Sequence, residues 1–128
     1  MQAQPLIAVR NVEASSRWYQ TVLGCDSGHG GPEYERLVYQ GQLILQLHHW
    51  DVHGHPHLGD PQTHPYGNGA ILWFQTDELD AAISRIRALG ATILEEPKVN
   101  PNASHWEIWL QDPDGYVVVI AGPRDQMP

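Results

Sequence analysis

The chain reads as an α+β protein built from two tandem βαβββ modules, forming a half-open, barrel-like sheet with a ligand cleft between its halves. Three observations predict this. Asn11-Val12-Glu13-Ala14-Ser15 leads into a helical stretch ending at Leu23-Gly24, and Glu78-Leu79-Asp80-Ala81-Ala82 leads into one ending at Leu89-Gly90, roughly 66 residues later and about half a chain away. A short apolar run with strand character precedes each helix, Leu6 to Val9 and Ala70 to Gln75. Each half ends in a hairpin signal, Gln40-Gly41 in the first and Asp112-Pro113-Asp114-Gly115 in the second.

In the first module Ala14, Trp18, Val22 and Leu23 recur at helical spacing, with Glu13 early to suit the helix dipole and Gly24 as a stop. Asp26 to Pro32 is glycine-rich and predicts a loop or a short irregular strand. Tyr34 to Tyr39 and Gln42 to His48 predict the two strands of a hairpin. In the second module Leu79, Ala82, Ile83, Ile86 and Leu89 form one apolar helix stripe, with Asp77 or Glu78 near its start and Gly90 at its end. Ala91 to Leu94 predicts a short strand, His105 to Leu110 another, and Tyr116 to Ala121 the strand that closes the sheet. The expected organisation is one domain over 1–128: module one 4–50, a linking loop 51–69, module two 70–122 and a fraying tail 123–128.

Composition narrows the function. The 128 residues carry 15 acidic and 7 basic side chains, a formal charge of -8. The scattered Lys and Arg form no phosphate-tracking groove, so no nucleic-acid partner is expected. No run of about 18 apolar residues offers a membrane span. Cys25 is the single cysteine, which excludes an internal disulfide and agrees with a reducing, cytoplasmic setting. It follows a helix end, where the dipole disfavours a thiolate, so no cysteine nucleophile is expected. Gly28-His29-Gly30-Gly31 lacks the lysine and the strand-loop-helix context of a phosphate loop. Asn102-Ala103-Ser104 fits a glycosylation acceptor only in a secreted protein.

Val9-Arg10-Asn11-Val12 running into Trp18-Tyr19 and Leu23-Gly24, with Glu107-Ile108-Trp109-Leu110 running into Asp112-Pro113-Asp114-Gly115-Tyr116, resembles the vicinal oxygen chelate superfamily. That group holds glyoxalase I, extradiol dioxygenases, fosfomycin-resistance enzymes and bleomycin-resistance proteins. The resemblance covers nearly the whole chain and implies their fold, and it implies a homodimer that covers exposed sheet edges. Its metal enzymes place one ligand on the first and fourth strand of each module, which here falls on Gln4, Gln46, Ile71 and Val119. Ile and Val have no donor atom, and two carboxamides do not make a divalent site. The resemblance therefore implies a protein like the metal-free bleomycin-resistance branch, without a cofactor, holding a small aromatic or cationic molecule.

Strand alternation places Ile44 and His48 beside Gln46, Trp73 beside Ile71, Val117 beside Val119, and Glu107 beside Trp109. The expected ligand-binding set is Gln46, His48, Ile71, Trp73, Glu107, Trp109 and Val119: aromatic walls with sparse polar groups. Trp73 and Trp109 are equally readable as core filling. Glu107 in an apolar cleft would have its pKa raised by desolvation, as a candidate base or cation partner, and a salt bridge to Arg10 or Arg36 explains it equally well. If the protein is an enzyme, a lyase, isomerase or dioxygenase of this superfamily, His48 and Glu107 are the expected acid-base pair. A relocated divalent metal on His48, His105 and Glu107 is a further alternative. His53, His55 and His57 alternate along the linking loop and would share a face with Asp51 in an extended segment, although Gly54, Pro56 and Gly59 work against a fixed geometry.

Overall fold

The computed structural model describes residues 1–51, 54–102 and 104–123. The chain divides into two compact units, Met1–His64 and Pro65–Pro128. Each unit has the order strand, helix, three strands, and each carries one four-stranded mixed sheet.

The first unit begins with β1 (Leu6–Val9), followed by α1 (Val12–Leu23). Asn11 caps the helix by accepting the Ala14 N–H at 2.9 Å, and Gly24 ends it in the left-handed conformation. Then come β2 (Asp26–Ser27), β3 (Tyr34–Tyr39) and β4 (Gln42–His49). Gln40 and Gly41 both have positive φ, the geometry that a two-residue turn between twisted strands requires. The sheet order is β1-β4-β3-β2, with β1 parallel to β4 and the others antiparallel. Helix α1 covers the face that carries Val9, Leu37, Leu45 and Leu47, all fully buried. Leu6, Ala8, Tyr34, Arg36, Gln46 and His48 stand on the other face.

The buried side of α1 differs from the expected stripe. Val12, Ser15, Ser16, Tyr19 and Val22 are buried, whereas Ala14 and Trp18 are only half-buried. The reason is a polar contact: Ser16 Oγ donates at 2.8 Å to the carboxylate of Glu35 on β3, which is itself 2% exposed. That carboxylate also accepts from Ser27 Oγ at 2.6 Å and from the backbone N–H groups of His29 (2.9 Å) and Gly30 (3.0 Å). One buried anion thus ties helix, strand and glycine-rich loop together. Burial would raise its pKa, but these hydrogen bonds outweigh it and hold the pKa below the ordinary carboxylate value.

The second unit runs β5 (Leu72–Gln75), α2 (Leu79–Leu89), β6 (Thr92–Asn100), β7 (His105–Gln111) and β8 (Val117–Pro123). Its order, β5-β8-β7-β6 with β5 parallel to β8, repeats that of the first unit. Leu79, Ala82, Ile83 and Ile86 are buried, and Ile108, Leu110, Val118 and Ile120 form the buried sheet face. Asp112 shapes the β7–β8 turn by accepting the N–H groups of Asp114 at 2.8 Å and Tyr116 at 2.9 Å.

Four sequence expectations need correction here. Leu89 is 43% exposed, because the helix ends before its stripe returns to the sheet. Strand β5 starts at Leu72, so Ile71 lies just ahead of it. Strand β6 extends six residues beyond Leu94, absorbing Pro97 between register shifts on an edge strand, where a missing N–H costs no ladder bond. The histidine loop is not extended: Pro56–Leu58 forms a 3₁₀ turn started by the proline, so His55 and His57 do not alternate along a strand. His53 lies outside the described residues.

Candidate functional site

The face of the second unit's sheet opposite α2 carries the chemistry. Cα register pairs Trp73 with Val119 and Val119 with Trp109, so these three stand side by side on neighbouring strands. Glu107 follows on the same face, opposite Lys98 of β6, and His105 comes next, opposite Asn100. Trp73 meets Trp109 edge-to-face, with centroids 6.3 Å apart and planes at 87°. Its ring also lies 5.7 Å from that of His105. Val119 is fully buried, whereas Trp73 is 44% and Ile71 47% exposed. Of the expected apolar walls, then, Val119 is floor, and Trp73 and Ile71 offer open apolar surface.

Glu107 is the hub. It is 3% exposed, yet its oxygens accept from Trp109 Nε1 at 2.9 Å, His105 Nε2 at 2.9 Å and Asn100 Nδ2 at 3.3 Å. Desolvation is the largest single influence and would raise its pKa, but the three hydrogen bonds and the His105 charge together lower it. The expected upward shift is thus overturned, because the apolar surroundings bring polar side chains of their own. Lys98 pairs with Glu95 and sits 5.9 Å above the Trp109 ring centroid.

On the first unit, Gln46 is satisfied at both ends. Tyr34 Oη donates to its Oε1 at 2.6 Å, and its Nε2 donates to the Gln4 carbonyl at 2.9 Å. His48 bonds the His49 carbonyl through Nδ1 at 2.8 Å; its ring stacks on that of His49, with centroids 5.0 Å apart, and lies 4.5 Å from the tilted ring of His55. His55 in turn pairs with Asp51 at 3.3 Å.

The second unit also has an open groove of about 690 Å³ on its other side, lined by Ile83, Ser84, Arg87, Glu96, Pro97 and Trp106 among others. Trp106 alternates with His105 and Glu107 along β7, so this groove belongs to the helix side and not to the indole face.

A family profile described as the Glyoxalase/Bleomycin resistance protein/Dioxygenase superfamily matches residues 2–120. The chain belongs to this superfamily. Solved structures of similar fold include a glyoxalase/bleomycin resistance protein/dioxygenase family enzyme from Burkholderia phytofirmans PsJN, at 20% identity and TM-score 0.74 over 93% of this chain and 95% of that one. A protein of unknown function from Agrobacterium tumefaciens str. C58 aligns at 18% identity and TM-score 0.75, over 95% and 94% of the two chains. A lactoylglutathione lyase from Agrobacterium tumefaciens aligns at 19% and 0.67, over 95% and 92%. Among curated proteins none matches the chain. At these identities the likeness establishes the fold.

The superfamily's metal positions, laid on this chain, do not fit a metal. Ile71 and Val119 offer no donor atom, and both ends of the Gln46 carboxamide are engaged by Tyr34 and Gln4. Of the alternative set His48, His105 and Glu107, the second unit brings His105 and Glu107 together. Among the described residues no group of three His, Cys, Asp or Glu side chains is placed to hold an ion.

The sequence reading undervalued His105 and did not single out Tyr34 or Asn100. The first was legible. His105, Glu107 and Trp109 recur at intervals of two on one strand, which sets them on one face. Asn100 depends on the extent of β6, and Tyr34 on its cross-strand pairing with His48, neither of which a local pattern contains.

Proposed function

We propose that this superfamily member binds a small, flat organic molecule against the indole-bearing face of its second module, with no metal taking part in the binding. The observation that carries the reading is Trp73: a large aromatic ring 44% exposed, edge-on to Trp109, on a face whose buried carboxylate, Glu107, already accepts three hydrogen bonds. An indole left open to water is a ready stacking surface, and aromatic pairing adds about 0.5–1.5 kcal/mol beyond area burial. Ile71, just ahead of β5 and 47% exposed, adds apolar surface, and the fully buried Val119 stands between the two indole-bearing strands.

The same reading places the protein in the cytoplasm, where Cys25 stays a thiol, and pairs it as a homodimer that covers its open sheet edges. No described helix is long and apolar enough to cross a membrane.

The test is thermal denaturation against a panel of neutral, cationic and anionic aromatic compounds, with and without EDTA. Flat aromatic compounds raise the melting temperature, EDTA leaves the shift unchanged, and Trp73→Ala with Trp109→Ala abolishes it. A flat response across the panel, or a shift that EDTA removes, overturns the proposal.

A further inference from the structure

We propose that His105, oriented by Glu107, is the proton acceptor of this face, and that the ligand it selects is a neutral aromatic molecule bearing a weakly acidic hydroxyl. The inference rests on the binding reading above and adds the chemical class of the ligand.

The argument begins with the carboxylate. Glu107 accepts three hydrogen bonds and keeps its charge at neutral pH, and an ionised carboxylate has no proton to donate. The 2.9 Å contact with His105 Nε2 therefore requires the proton to sit on that nitrogen. In the neutral ring this leaves the lone pair on Nδ1. Nδ1 makes no hydrogen bond to the described residues, and the side chain keeps some exposure to solvent. The ring is held against Trp73, at 5.7 Å between centroids, with the side chain only 12% exposed. A buried carboxylate behind a histidine fixes the tautomer and compensates the imidazolium that forms when the outer nitrogen takes a proton. Glu107 is thus a positioning residue, and His105 is the group that meets the ligand.

The surrounding charges decide what that ligand is. On β6 the charged side chains of this face are Lys98 and Glu95, paired with each other. Strand β8 presents Val117, Val119 and Ala121 here, and β5 presents Trp73 and Gln75. No unpaired cation on these strands waits for an anion, and the ionised Glu107 repels one. A ligand cation is not favoured either, because the carboxylate oxygens already hold three donors. A neutral hydroxyl donor suits the Nδ1 lone pair, and its ring suits Trp73. Proton transfer is balanced within the complex: the hydroxyl O–H breaks, the N–H forms on Nδ1, and the oxygen keeps the electron pair as an aryloxide beside the imidazolium–Glu107 pair.

Two arms test this on the full-length protein. Nitrogen-15 NMR of the histidine rings, recorded at a pH where they are neutral, shows His105 as the Nε2–H tautomer, with Nδ1 resonating as an unprotonated nitrogen; a neutral His105 with its proton on Nδ1 overturns the assignment without any ligand. In the second arm 4-nitrophenol and its O-methyl ether, 4-nitroanisole, are titrated by tryptophan quenching and by the visible absorption of the phenolate. Bound nitrophenol ionises at a pH about one unit below its free value. His105→Gln and Glu107→Gln remove that shift and weaken nitrophenol about tenfold more than nitroanisole, and Glu107→Asp restores part of the shift. Nitrophenol that ionises as in free solution, or equal losses for the two probes, overturns the role of His105 and leaves the aromatic face standing. Failure of both probes to bind wild-type protein overturns the aromatic-face reading and this inference with it.

Discussion

Trp109 donates its indole N–H to the carboxylate of Glu107, two residues earlier on the same strand, at 2.9 Å. Side chains two apart share a face, so this bond locks the indole along β7 instead of leaving it free to turn about its side-chain torsions. Glu107→Ala removes the acceptor from Trp109, His105 and Asn100 at once. A buried donor without a partner costs about 1–3 kcal/mol, and the three are only partly buried, so a loss of about 3 kcal/mol is expected. Glu107→Gln costs less, since its amide oxygen still accepts from Trp109. Urea denaturation checks both, and an alanine variant within about 0.5 kcal/mol of wild type would show that the hub does not hold the face together.

Glu35 and Glu107 are the buried carboxylates expected to weaken the fold in acid. Both folded pKa values lie below the ordinary 4.5, because hydrogen bonds to the ionised form outweigh desolvation. The sign follows from linkage. The unfolded chain takes up these protons first as the pH falls, so the contribution is whole above about pH 5 and fades as pH drops through the folded values. Urea midpoints measured from pH 7 to pH 3 therefore fall steeply below pH 5 in wild type. Glu35→Gln is less stable at pH 7 but has a shallower acid limb. Parallel curves for the two proteins would mean that Glu35 titrates alike in both states.

Both βαβββ modules could be read from the sequence because their signals are local. Asn11, Gly24 and Gly90 mark helix ends, and Gln40-Gly41 and the Asp112 turn mark reversals, each through the backbone geometry of a few residues. What escaped depends on distant partners. Ser16 is buried on α1 because Glu35, 19 residues on, needs its hydroxyl. Strand β6 looked finished at Leu94 because Glu95-Glu96-Pro97 breaks the apolar alternation, whereas an edge strand tolerates both the charges and the proline. Alternation correctly set Trp73, Glu107, Trp109 and Val119 on one face, as the strand register shows. The ionisation of Glu107 was misjudged because pKa depends on Asn100 and His105, which reach it across and along the sheet.

Gly122 tests how tightly α2 is seated on β8. A Cβ at this position would lie 2.7 Å from Leu79 Cβ and 3.1 Å from the Thr76 carbonyl oxygen. Neither is the flexible end of a side chain. Leu79 opens α2 and is fully buried, and Thr76 N donates to the Ala121 carbonyl at 2.9 Å, so the helix start and the strand end are joined on both sides of the glycine. Gly122→Ala must therefore push the first turn of α2 off the sheet, at a cost of about 1–3 kcal/mol. Because the clash is with Cβ, Leu79→Ala does not relieve it. The double variant Gly122→Ala/Leu79→Ala is expected to be less stable than either single change, since it adds a cavity to the strain. Thermal melts of the three proteins decide this: recovery of stability in the double variant would place the conflict in the leucine side chain beyond Cβ, and not in the approach of the helix backbone.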